Sequence, residues 1–209
     1  CVRLSAQPVE ELDTLLAQGE RLQQEGKRAE LVNVAEKLLN LVGKAERSNR
    51  VRLSIVLNNV GLLCSDLGDY AKALSFLQPA LEITEKHFGP DDAETASSLN
   101  NLGVLYQHLD NDAKAGPLLQ RALAIRENKL GSNHVDTAQS LHNLAIHYQR
   151  QADFDRAESM LKRALAIKEK AADLDPLEIA VTGHHLGALY KQLGDYPQAE
   201  GCYIRALRI

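Results

Sequence analysis

Four blocks of this chain resemble one another at a spacing of forty-two residues, and that period constrains the fold more than any single residue does. The blocks open as SIVLNNVGLLCSDLGDYAKALSFLQPALEI at Ser54, ASSLNNLGVLYQHLDNDAKAGPLLQRALAI at Ala96, AQSLHNLAIHYQRQADFDRAESMLKRALAI at Ala138 and AVTGHHLGALYKQLGDYPQAEGCYIRALRI at Ala180. A block this short cannot bury its apolar face alone, so consecutive copies must stack and share one core. The expected fold is all-α: a solenoid of antiparallel helix pairs. Such arrays bind along an extended surface and seldom do chemistry.

Small and large side chains recur at fixed offsets. The eighth position holds Gly61, Gly103, Ala145 and Gly187, the twentieth Ala73, Ala115, Ala157 and Ala199, and the twenty-seventh Ala80, Ala122, Ala164 and Ala206. Small residues there let helices approach closely, where larger ones would overpack. Tyr106, Tyr148 and Tyr190 at the eleventh position fill the space so created; Cys64 takes their place in the first copy and reads as a small buried hydrophobe. Leu57, Leu99 and Leu141 continue the apolar stripe.

The turns are equally regular. Gly68 and Gly194 suit the left-handed residue that ends a helix, and Asp69, Asn111, Asp153 and Asp195 suit the N-cap of the next. A second cap is expected at Asp91, Asn133 and Asp175, each followed three residues later by an acid (Glu94, Asp136, Glu178), as in a capping box, with Pro176 at the first helical position. Pro79 and Pro117 fall inside second helices, each removing a hydrogen bond at about 3 kcal/mol. They predict a kink or a widened turn, read as strain tolerated by packing rather than as a hinge.

Residues 12–53 keep the rhythm at Gly19, Leu22, Gly26 and Leu39 but put Leu31 and Leu38 where the copies carry alanine. The expected organisation is a tail over 1–11, a diverged capping hairpin over 12–53, units over 54–95, 96–137 and 138–179, and a truncated unit over 180–209. With Cys1 in place of a starting Met, the ends read as cuts in a longer protein rather than as a lipid-bearing terminus.

The pattern Leu-x3-Gly-x2-Tyr followed by Ala-x3-Leu and Ala resembles the tetratricopeptide repeat. Leu99-Asn100-Asn101-Leu102-Gly103, Leu141-His142-Asn143-Leu144-Ala145 and the linker Phe88-Gly89-Pro90-Asp91 are similar to the kinesin light chain type of that repeat. The linkers depart from the light chains' usual Gly-Pro-Asp-His-Pro-Asp-Val, and no heptad segment for a motor heavy chain is present. The resemblance implies a right-handed superhelix whose first helices line a concave groove that holds peptides. Transferred position by position, that groove would comprise Asn58, Asn59, Leu62, Asn100, Asn101, Val104, His108, His142, Asn143, Ile146, Arg150, His184, His185 and Lys191. Each Asn amide can donate to and accept from an extended peptide backbone whatever its sequence. Acidic Asp66 gives way along the array to Arg150 and Lys191, which favours a ligand with an acidic or polar segment over the last two units.

Other chemistry finds no support. Net charge is −4, and beyond residue 53 fifteen basic side chains face twenty acidic ones, against a nucleic-acid partner. No apolar run is long enough for a membrane span, and the cysteines make no metal or disulfide spacing, which fits a reducing, cytoplasmic setting. Adjacent His184 and His185 diverge by about 100° on a helix, and His142 and His147 miss the i, i+4 spacing of a zinc helix. Gly19, Gly26 and Lys27 have the wrong spacing for a phosphate loop, and no nucleophile elbow occurs. No cofactor or metal is expected. The leading reading is a non-catalytic protein–protein interaction scaffold that binds a protein or peptide, as a cargo or adaptor module. Its rival is the regulatory segment of a larger signalling enzyme (a protease, cyclase or nucleotide-switch protein), and a third reading is a self-associating spacer.

Overall fold

The computed structural model describes residues 7–41, 47–171 and 174–208, and every regular element among them is helical. Cys1 lies outside the described residues. The chain divides into two compact units, 1–110 and 111–209. The first contains α1 (Gln7–Gln24), α2 (Arg28–Leu39), α3 (Arg47–Asp66), α4 (Tyr70–Phe88) and α5 (Ala93–His108). The second contains α6 (Asp112–Lys129), α7 (Val135–Arg150), α8 (Phe154–Lys168), α9 (Pro176–Leu193) and α10 (Tyr196–Leu207). Within each unit, consecutive helices pack on one another. None of the described helices is long and apolar enough to cross a membrane.

The expected tail is shorter than 1–11, because α1 already begins at Gln7. Leu12, Leu15, Leu16 and Leu22 fall on one face of this helix and are all buried.

The packing columns behave as their spacing predicts. Leu57, Leu99 and Leu141 are buried, as are Ala73, Ala115, Ala157 and Ala199. A Cβ on Gly61 would sit 2.6 Å from the Leu77 side chain, and one on Gly187 would sit 2.8 Å from the Tyr203 ring. The tyrosines join successive copies: Gln78 donates to the Tyr106 hydroxyl at 3.4 Å, Gln120 to that of Tyr148 at 3.1 Å, and the Tyr190 hydroxyl donates to Glu158 at 2.8 Å. Cys64 is buried, and burial pushes its thiol pKa up.

Gly68 and Gly194 are left-handed, at φ 78° in each case. Asp69, Asn111, Asp153 and Asp195 cap α4, α6, α8 and α10 by accepting from the amide three residues on. The middle copies turn the same corner without glycine, on Asp110 (φ 53°) and Ala152 (φ 60°).

Two of the linker caps require correction. The cap of α5 is Asp92 rather than Asp91, and that of α7 is His134 rather than Asn133. Both take extended backbone one residue later than expected, and their side chains accept from the amides of Glu94 and Asp136. Those acids therefore occupy the second helical position, not the third. Only α9 starts where the spacing places it, on Asp175, because Pro176 has a fixed φ suited to the first helical position. Thr95 and Thr137 close the other two linkers by donating to the carbonyls of Gly89 and Gly131, both at 2.8 Å.

Neither proline breaks its helix. α4 runs through Pro79 and α6 through Pro117. Phe76, Leu77 and Ala80 around the first, and Ala115, Leu119 and Ala122 around the second, are buried. Packing of that extent outweighs a lost hydrogen bond.

Candidate peptide-binding surface

In the first unit the candidate residues lie on α3 and α5, whose apolar columns at the fourth position point inward. One turn round each helix, Leu62 stays 37 % exposed and Val104 is half-buried. Beside them, Asn59 donates to the Gln23 side-chain carbonyl at 3.0 Å, and the Asn101 amide donates to the Asn58 side-chain Oδ1 at 3.5 Å. Asn58 itself is turned toward the helix junction, donating to the Ser98 hydroxyl at 2.9 Å. Asn100, in the same column as Asn58, is only 5 % exposed. His108 is exposed and stacks on Tyr70, with ring centroids 5.6 Å apart.

In the second unit the candidates lie on α7 and α9. His142 is 5 % exposed and occupies the α7–α9 junction, with Nδ1 3.2 Å from the Thr182 hydroxyl. The His185 ring meets it edge-on at 4.8 Å. Burial, aided by His185 and Lys168, holds the His142 pKa down at about 3, so the ring is neutral. His185 is also lowered, by burial and then by His184. Asn143 is buried and accepts from Gln139 at 3.2 Å. Half-buried Ile146 and exposed Arg150, His184 and Lys191 remain accessible. Arg150 is paired with Asp112 at 3.4 Å, and His184 packs against Tyr203. Among the described residues no cluster of side chains could hold a metal ion.

At the fifth position Asn58 and His142 thus act at junctions, as an amide in the first unit and an imidazole in the second, each bonded to a hydroxyl at the third position of the next first helix, whereas His184 in the same column is exposed. The ninth and thirteenth positions stay accessible at Leu62, Val104, Ile146, Asp66, His108 and Arg150.

Sequence reasoning missed a further column. At the thirty-first position Arg126 and Lys168 are buried cations. Arg126 donates to the Asp136 carbonyl at 2.8 Å and the Ser140 hydroxyl at 2.9 Å. Lys168, 1 % exposed, donates to the Glu178 carboxylate at 2.7 Å and to Gln139 at 3.2 Å. The available signal was a polar residue in each of the first three copies (Thr84, Arg126, Lys168) on a face that periodicity marks as apolar.

Comparison with known proteins supports the architecture. Models of the tetratricopeptide repeat match residues 52–115, 94–170 and 184–209, together more than half of the chain. No curated protein matches. Among solved structures, BtubC (BKLC) from P. vanneervenii is 25% identical, with 99% of this chain and 88% of that chain covered and a TM-score of 0.76. A Podosopora anserina kinesin light chain-type structure with nearly identical TPR-like repeats is 22% identical, covering 94% and 93% at a TM-score of 0.71. MamA from Desulfovibrio magneticus RS-1 is 16% identical, covering 95% and 94% at a TM-score of 0.65. The chain belongs to the tetratricopeptide repeat family.

Proposed function

We propose that this scaffold holds a peptide segment of a partner protein against its first helices, as an adaptor or cargo-binding module does. The observation that carries the reading is the strip left open on those helices. Leu62, Val104 and Ile146 stay accessible at the ninth position, with Asn59, Asn101 and His185 half-buried at the sixth, while the fourth-position leucines Leu57, Leu99 and Leu141 are sealed. Amides beside apolar side chains suit an extended backbone whose alternate residues point into the surface. The strip ends on Asp66 and His108 in the first unit and on Arg150 and Lys191 in the second. A ligand with an acidic or polar stretch over α7 and α9 fits that charge.

The test is recovery of partner proteins on the full chain as bait, against Leu62→Asp and Ile146→Asp, both at accessible positions. Each substitution should cut retention of the same partners about tenfold, since burying one unpaired carboxylate costs more than 1.4 kcal/mol. The Asn101→Ala/Asn143→Ala pair should weaken binding of the recovered segment in titration. Unchanged binding in both experiments, with helix content intact, refutes the surface.

A further inference from the structure

The second unit contains a space that its own repeat pattern would fill. A cavity of about 290 Å³ lies where α8, α9 and α10 meet, walled by Leu165, Ile179, Leu186 and Ala206. Two departures from the repeat make room for it. The fourth position is Leu57, Leu99 and Leu141 in three copies, all buried, but Gly183 in the last. The twenty-third is Phe76, Leu118 and Met160, but Cys202 in the last. Gly183 and Cys202 both line the cavity. A Cβ built on Gly183 would meet nothing nearer than the Ala206 Cβ at 3.7 Å, and one on Gly201 nothing within 4 Å.

Three polar side chains also line it. Gln198 and the ion pair between Arg205 and Glu169, at 2.6 Å, complete the lining. Burial pushes the Cys202 thiol pKa up, which keeps it uncharged within an apolar wall. The cavity opens to solvent beside Gln198, Gly201 and Arg205, which are exposed, while Leu165, Gly183 and Leu186 in its wall are buried, and an apolar recess in a close-packed fold accepts hydrocarbon ligands.

We propose that this cavity is a binding site for a compact aromatic small molecule about the size of indole. Its hydrocarbon face would lie against Leu165, Ile179 and Leu186, and a polar substituent would turn toward Gln198 and Arg205. None of these residues belongs to the peptide-binding surface, so the two sites stand or fall separately.

Indole is the probe, added to the full chain while the methyl resonances of Leu165, Ile179 and Leu186 are followed. The expected dissociation constant is about 1 mM or tighter, the range open to a ligand of this size. Indole should also slow alkylation of Cys202 by N-ethylmaleimide, read by peptide mass spectrometry. Gly183→Leu restores the side chain of the other three copies and Cys202→Met that of the third, and each should weaken binding about tenfold or more without lowering the melting temperature. Gly183→Ala, whose added methyl meets only ordinary contacts, provides a variant that folds if the larger ones do not, and it should weaken binding less. No shift of those methyls at millimolar indole overturns the proposal. So does binding that the folded filling variants leave unchanged.

Discussion

Acidification should weaken the α7–α9 junction through His142, and replacing that residue with asparagine should remove the effect. Burial holds the His142 pKa at about 3 in the folded chain, against 6.5 when exposed. The unfolded chain therefore binds a proton below pH 6.5 that the folded chain refuses. His142 contributes no pH-dependent loss above that value, and stability falls as the pH drops from 6.5 toward 3. Each full proton of difference is worth 1.36 kcal/mol per pH unit, so the loss is about 1 kcal/mol at pH 5.5 and about 2 kcal/mol at pH 5. His185, also lowered by burial, acts in the same direction. Glu158, whose pKa is lowered first by its hydrogen bond from Lys162, adds its own loss only as the pH falls through the carboxylate range, so pH 5 to 7.5 is the informative window. His142→Asn is a fair control because Asn58 makes the equivalent bond to Ser98 in the first unit. The assay is native-state hydrogen exchange of α7 and α9 amides at pH 7.5 and 5, corrected for intrinsic rates. The wild-type chain should lose about 2 kcal/mol more than the variant. Equal losses in the two proteins would refute the assignment of the buried, neutral imidazole to this junction.

Three further outcomes are expected. Ala152→Gly should raise stability by about 0.5–1 kcal/mol in urea unfolding, because Ala152 holds a φ of 60° that glycine adopts without strain, and Asp110→Gly should gain less since Asp tolerates that region. Gly61→Ala should cost about 1–3 kcal/mol in thermal unfolding, because its Cβ would meet Leu77 at 2.6 Å, whereas Gly68→Ala should act only through its left-handed backbone. Glu178→Ala should destabilise the second unit by about 3 kcal/mol by leaving Lys168 buried without its carboxylate, and adding Lys168→Met should recover most of that loss in a double-mutant cycle.

The helices and their packing columns were legible because period and residue size alone determine them: Gly61, Ala73 and Leu57 sit where any close-packed helix pair needs them. The starts of α5 and α7 were not, because choosing between neighbouring caps depends on the backbone of Asp92 and His134 and on threonine bonds across the linker. The candidate contacts came from the resemblance, and of these Leu62, Val104 and Lys191 stand at positions that their helices leave accessible. Asn100 and His142 could not be assigned in that way, since a polar residue on the inner edge of a stripe can face either a ligand or the hydroxyl of the next helix. Lys168 was hidden for a related reason. Its aliphatic stem fills a core position while its ammonium reaches across to Glu178, and periodicity records only that a cation stands there.

The division of the chain into two compact units falls between α5 and α6, inside the copy spanning 96–137, so at that copy the segment that is repeated and the segment that coheres are out of phase. A helix from one copy completes the first body, and its sequence partner opens the second. Duplication of a forty-two-residue block in the gene would not add an independent domain under these conditions. In the other copies both helices stay within one body (α3 with α4, α7 with α8, α9 with α10), so a duplicated block would add a helix pair to the body it joins.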